Sequence, residues 1–268
     1  MARQLGNVKY KGTIGDIRHF KIKGLKGNFA GLNGGASAEQ IKSDPAFVRT
    51  RENMNEFGGC ATVGKSVRIG LAQLMKQMSD PQLTGRLTSI MKKINLEDQT
   101  EARGYRAILV STQSKYLVGL NFNRNSYFEG MFTAPVEVVA SEDRNAVTLS
   151  VVAFNALNQV KAPLGATHFR LVNAISVLSD FAFNSSTKTY EPIDSALNEL
   201  SNITYSDYIE VGTTVSDPIS IISTLPGSPT LTTDDSLLSC IGIEFYQKAG
   251  SNYYLFNSGN ALKIQTVF

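Results

Sequence analysis

Phe169-Arg170-Leu171-Val172-Asn173-Ala174-Ile175-Ser176-Val177-Leu178 and Leu237-Leu238-Ser239-Cys240-Ile241-Gly242-Ile243-Glu244-Phe245-Tyr246-Gln247 are the two stretches whose reading decides the fold. Both are rich in β-branched and aromatic side chains, and both read as strands. Shorter runs of the same kind surround them at 136–140, 147–154, 205–211, 219–223, 253–256 and 261–268. Turn residues separate these runs, so residues 126–268 are expected to form an antiparallel β-sandwich of about seven or eight strands. Ala249-Gly250-Ser251-Asn252 reads as a hairpin loop, and Pro226-Gly227-Ser228-Pro229 as an exposed loop that no central strand could hold. Short strands are also expected at 108–110 and 117–122.

Upstream, the pattern is helical. Asp44-Pro45 and Asp80-Pro81 each place a capping carboxylate before a proline, the chemistry of a helix start. The first start predicts a helix to about Phe57, closed by Gly58-Gly59. Val67, Leu71, Leu74, Met75 and Met78 recur at helical spacing, and Leu83, Leu87, Ile90, Met91 and Ile94 repeat that spacing. Two matched stripes joined by Ser79-Asp80-Pro81 predict a helical hairpin facing a core.

Before the helices, glycines at 6, 12, 15, 24, 27, 31, 34 and 35 interrupt short strand-like pieces. Phe20-Lys21-Ile22-Lys23 alternates apolar and basic, as a half-exposed strand does. One or two hairpins, or an extended arm, are expected over 1–36. The fold class is therefore α+β: a Gly-rich β arm and a helical N-terminal half over 1–125, then the sandwich over 126–268.

Charge divides the chain in the same way. Residues 1–110 carry 18 Lys and Arg against 9 Asp and Glu, a net of +9; residues 111–268 carry 8 against 14, a net of −6. Halves of opposite sign attract each other or neighbouring copies. No segment is apolar over the length of a membrane span or of a signal peptide's core, so a cytoplasmic protein is expected, or one released without a signal peptide.

The sharpest motif is Gly59-Cys60-Ala61-Thr62-Val63-Gly64-Lys65-Ser66, which satisfies G-x-x-x-x-G-K-[ST]. A nucleotide-binding loop of this type leaves a buried strand, wraps phosphates in free backbone N–H groups, and places its Lys and Ser on phosphate and Mg²⁺. The segment before Gly59 is polar and helical, so the motif of Gly59, Gly64, Lys65 and Ser66 reads better as a Gly-rich helix junction whose glycines allow close helix packing. A Walker-type acidic strand could be drawn at 175–180, but it sits in the sandwich pattern. His19 and His168 are the only histidines, and Cys60 and Cys240 lie in different halves, so no metal cluster, cofactor or nucleophilic triad is indicated.

Two other readings remain. Arg18, Lys21, Lys23, Lys26, Arg49 and Arg51, with Phe20 and Phe29 among them, form a candidate phosphate- or nucleic-acid-binding set. Val8, Tyr10, Ile17, Phe20 and Ile22 form a candidate assembly arm. The apolar strand ending in Leu262, Ile264, Val267 and Phe268 must be tied into a sheet, its own or a neighbour's.

Several segments carry a resemblance. They are Gly12-Thr13-Ile14-Gly15-Asp16, the run Ile41-Lys42-Ser43-Asp44-Pro45-Ala46-Phe47-Val48-Arg49-Thr50-Arg51-Glu52-Asn53, Gly165-Ala166-Thr167-His168-Phe169-Arg170 and Gly242-Ile243-Glu244-Phe245-Tyr246. Together they resemble an uncharacterised family of Bacteroidota proteins over most of the chain. The resemblance implies no activity and transfers no catalytic residue. The expected function is a non-enzymatic self-assembling protein, a homo-oligomer, filament or particle built by β-edge pairing of the arm. Nucleic-acid association is the alternative, and nucleotide binding the third reading.

Overall fold

The computed structural model describes residues 2–268. Contacts divide the chain into two compact units, one ending at Arg51 and one covering Glu52–Phe268.

The first unit is a small antiparallel sheet followed by a short helix. Its strands are β1 (Ala2–Arg3), β2 (Gly12–Ile14), β3 (Ile17–Phe20) and β4 (Phe29–Leu32), in the order β1-β4-β3-β2. The expected hairpins are present, and the extended arm is not. Gly15 and Asp16 turn β2 into β3, and Gly15 has φ 56°. A two-residue hairpin turn with a positive φ at its first central position calls for glycine there. Helix α1 (Ala38–Ser43) opens on a capping box. The Ser37 side chain accepts from the Gln40 N–H, and the Gln40 side chain accepts from the Ser37 N–H. No described residue of this unit is a buried hydrophobic.

The second unit carries α2 (Val48–Gly70), whose first turn contains the unit boundary, then α3 (Ala72–Met78) and α4 (Leu83–Glu97). The helix expected to stop at Phe57 runs unbroken through Gly58 and Gly59. Each glycine costs a helix about 1 kcal/mol, but packing overrides that preference. A Cβ on Gly64 would sit 3.2 Å from Leu87 Cβ, and one on Gly70 would run into Ser176 Oγ. The glycines let α2 lie close on its neighbours. At Leu71 the chain leaves helical geometry (φ −109°, ψ 22°), so the stripe from Val67 to Met78 is shared by two helices instead of one.

The strands that follow are β5 (Val136–Ala140), β6 (Ala146–Val151), β7 (Phe154–Asn155), β8 (His168–Ser179), β9 (Phe181–Asn184) and β10 (Thr189–Pro192). Then come β11 (Ser201–Tyr205), β12 (Ile209–Glu210), β13 (Thr214–Val215), β14 (Ile219–Thr224), β15 (Asp235–Ala249), β16 (Asn252–Leu255) and β17 (Ala261–Val267). The two stretches that open the sequence reading are β8 and β15. They pair antiparallel without a break from Asp235 opposite Ser179 to Tyr246 opposite His168. β11 and β12 flank β8; β16 and β17 flank β15.

Alternate residues of this six-stranded sheet face two different layers, as the period of two requires. Val172, Ala174, Leu178, Leu238, Cys240 and Ile264 share one core with Val67, Leu71, Leu87, Met91 and Ile94 of the helices. Phe169, Leu171, Ile241, Ile243 and Phe245 face Leu149, Val151 and Ile221 of a three-stranded sheet ordered β14-β6-β5. The α+β class and the sandwich hold, and helices cover the outer side of its larger sheet. The expected division at residue 125 falls inside this unit, because the helices bury their stripes on the sheet rather than on each other alone.

Three further differences are local. Segments 108–110 and 117–122 are not strands; they make the isolated bridges Ile108 to Phe181 and Asn121 to Lys263. The β9–β10 hairpin was not anticipated. β17 is enclosed on both edges: beyond β15, the Gly119 and Phe122 N–H groups donate to Ile264 and Leu262 carbonyls at 2.9 Å each. Phe268 and Leu237 exchange backbone bonds at 2.9 and 3.0 Å. Leu262, Ile264, Val267 and Phe268 are therefore held in their own chain, and no edge of β17 is offered to a neighbour.

Candidate functional site

The hairpin at Gly15-Asp16 fixes a register with a consequence for the surface. It sets Ile14 opposite Ile17, and β3 in turn sets Ile17 opposite Leu32. Residues directly opposite in an antiparallel pair share a face. Ile14, Ile17 and Leu32 thus form one aliphatic row across three strands. They are 56%, 45% and 82% exposed. The other face carries Phe20 and Phe29, stacked with ring centroids 6.3 Å apart, and Arg18 with its guanidinium carbon 4.9 Å from the Phe20 centroid.

Of the arm residues named from sequence, Ile17 lies in the row, and Phe20 lies on the opposite face. Val8 and Tyr10 are exposed outside the strands, and Ile22 is half-buried just beyond β3. The Tyr10 N–H donates to Gln4 Oε1 at 2.9 Å. Ile14 and Leu32 were missed. The signal for Ile14 was available: a two-residue turn at Gly15-Asp16 makes Ile14 and Ile17 direct partners.

The basic set is not one surface. Arg18, Lys21, Lys23 and Lys26 are exposed in the first sheet and the loop after β3, and Arg49 is exposed in the first turn of α2. Arg51 is committed elsewhere: its guanidinium donates to the carbonyls of Ile41 and Asp44 at 2.8 and 2.9 Å, closing α1.

Gly59, Gly64, Lys65 and Ser66 lie inside α2, where backbone N–H groups are consumed by the helix. No phosphate-wrapping loop exists at the motif. Lys65 points to solvent, while buried Ser66 donates from Oγ to Glu199 Oε1 at 2.7 Å. The acidic strand end at Asp180 is also structural. Its carboxylate accepts from the Ser111 N–H at 2.9 Å and from Ser111 Oγ at 2.5 Å. Burial raises its pKa above the ordinary aspartate value despite those bonds.

Other polar clusters are similarly self-contained. Arg170 donates to Glu244 from Nε and Nη2 at 3.0 and 2.9 Å, and its guanidinium lies 3.7 Å from the centroid of the Tyr205 ring. Buried Glu56 accepts from Lys92 and from the Gly104 N–H. Among the described residues no three His, Cys, Asp or Glu side chains converge, and no helix is long and apolar enough to cross a membrane. Comparison with protein-family models and with curated proteins finds no match. The functional reading therefore rests on the exposed aliphatic row and on charge.

Proposed function

We propose that this chain is a non-enzymatic self-assembling protein whose N-terminal sheet docks on a neighbouring copy. The observation that carries the reading is the exposed row Ile14, Ile17 and Leu32 on a sheet with no buried hydrophobic residue among those described. A small sheet without a core is marginal by itself. Burying what each row residue still exposes would contribute about 1–2 kcal/mol, which gives the unit a reason to dock. The edge strand β2 adds unpaired backbone groups on its outer side, so edge pairing can accompany burial of the row.

Charge favours a copy of the same chain as partner. Residues 1–51 carry 10 Lys and Arg against 3 Asp and Glu, a net of +7, whereas residues 52–268 carry 16 against 20, a net of −4. The test is the solution mass of the full chain by light scattering at low and moderate salt, beside Ile17→Asp. The expected result is a multiple of the single-chain mass for the parent and the single-chain mass for the variant. A parent that stays a single chain at both salts overturns the reading.

A second reading is favoured by the face opposite the row, where Arg18 stacks over Phe20 near exposed Lys21, Lys23 and Lys26. Such a basic, aromatic surface suits the phosphates and bases of a single-stranded nucleic acid. Binding that collapses between low and moderate salt, and weakens in Arg18→Ala, is the expected result for that reading.

A further inference from the structure

The three-stranded sheet of the sandwich also carries an exposed row. In the three-stranded sheet, Val139 stands opposite Thr148, and Thr148 stands opposite Ile222. All three point away from the core that Val138, Leu149 and Ile221 fill on the other face. Val139 and Ile222 are 54% and 58% exposed. This is a second three-strand row of β-branched residues that nothing among the described residues of its own unit covers. With strands about 4.8 Å apart, each row is about 10 Å wide, so donor and acceptor match in length.

Resting on the self-assembly reading above, we infer that Ile14, Ile17 and Leu32 of one copy pack face to face on Val139, Thr148 and Ile222 of the next. Two facing sheets bury their inner rows by interdigitation. Charge selects this pairing over the alternative in which two N-terminal rows meet each other. Row on row would bring two units of net +7 together. The acceptor row instead has exposed Glu137 beside it on the same face, exposed Glu142 and Asp143 in the turn after β5, and exposed Asp217 just before β14. Exposed Lys9 and Lys11 of the donor unit supply the complementary sign.

Donor and acceptor are different surfaces, so the contact is heterologous. Every copy added presents a fresh acceptor, and the assembly closes into a ring or runs on as a filament.

The experiment uses two full-length variants, Ile17→Asp with a damaged donor and Ile222→Asp with a damaged acceptor. Val139→Asp stands in if the second melts before the parent. Each variant alone is expected at single-chain mass by light scattering. An equimolar mixture is expected at twice that mass and no further, because the pair retains one good donor and one good acceptor. A mixture that stays at single-chain mass overturns the pairing. If the Ile222 and Val139 variants assemble like the parent while Ile17→Asp does not, the acceptor is wrong and self-assembly stands. A parent at single-chain mass removes self-assembly itself, and this pairing with it.

Discussion

Gly59 in α2 lies flat against the ring of Tyr190: a Cβ at position 59 would stand 2.5 Å from the ring's Cγ. The ring has no room to retreat, because Tyr190 is buried and its hydroxyl donates to the Arg106 carbonyl at 3.0 Å. One residue earlier, a Cβ on Gly58 would meet nothing within 4 Å. Adjacent glycines of one helix thus have opposite roles.

Gly59→Ala is expected to lower the melting temperature. Overpacking costs about 1–3 kcal/mol or more and exceeds the gain of about 1 kcal/mol from replacing a helical glycine. Gly58→Ala keeps only the gain and is expected to raise the melting temperature by about 2–4 °C. Thermal melts followed by circular dichroism give both signs in one experiment.

Glu56 contributes to acid stability. Burial pushes its pKa up, but the hydrogen bonds from Lys92 and the Gly104 N–H, with the charges of Lys92 and Arg106, hold it below the ordinary 4.5. A carboxylate depressed on folding stabilises the protein above its unfolded value, and the contribution fades as pH falls from about 4.5 through the lower folded value. Glu56→Gln is expected to cost about 1.5–3 kcal/mol at pH 7 and to flatten the acid limb of the stability curve. Urea melts between pH 3 and 7 check both.

The cysteines report on unfolding rather than on chemistry. Burial pushes the Cys60 thiol up to about 12, and the Cys240 thiol is raised by burial as well. Both are free and buried. Thiol reagents are expected to label neither in native protein at pH 8, and to label both at a common rate once urea opens the core. Mass spectrometry after timed labelling distinguishes the two regimes.

Lys65→Ala tests the nucleotide motif directly. With Lys65 on the solvent side of a continuous helix, the change is expected to move stability by less than about 0.5 kcal/mol. Calorimetric titration with ATP and Mg²⁺ is expected to give the same trace for parent and variant. Nucleotide binding that is lost in the variant would contradict the helical reading.

The parts of the fold written in the sequence are those set by local periodicity. The stripe from Leu83 to Ile94 is α4, and the runs around Phe169 and Leu237 are the two central strands. What periodicity does not carry is the layer a stripe will face. Leu87 and Met91 read as half of a helical hairpin, yet they pack in one core with Val172 and Cys240. Gly58-Gly59 read as a stop because glycine lowers helix propensity, and only the distant Tyr190 explains why one of them is required. The candidate site was half legible. Ile17 could be named from its strand, but the row exists only through pairing with Ile14 and Leu32, and pairing is a property of the turn.

The wide sequence separations within the sandwich govern when the surfaces come into being. β8 pairs with β15, and β17 inserts between β15 and segment 119–122, so the larger unit closes only after its distant strands have met. Topologies of this kind fold in milliseconds to seconds, whereas the first sheet is built from neighbouring hairpins. On a ribosome adding about 5–20 residues per second, the sheet bearing Ile14, Ile17 and Leu32 is complete roughly ten to forty seconds before β14 is synthesised. The exposed row Ile14, Ile17 and Leu32 therefore precedes the exposed row Val139, Thr148 and Ile222 on every nascent chain. If the two rows pair as proposed, a nascent chain can offer a donor before it can offer an acceptor, and polymerisation waits until translation has passed the sandwich.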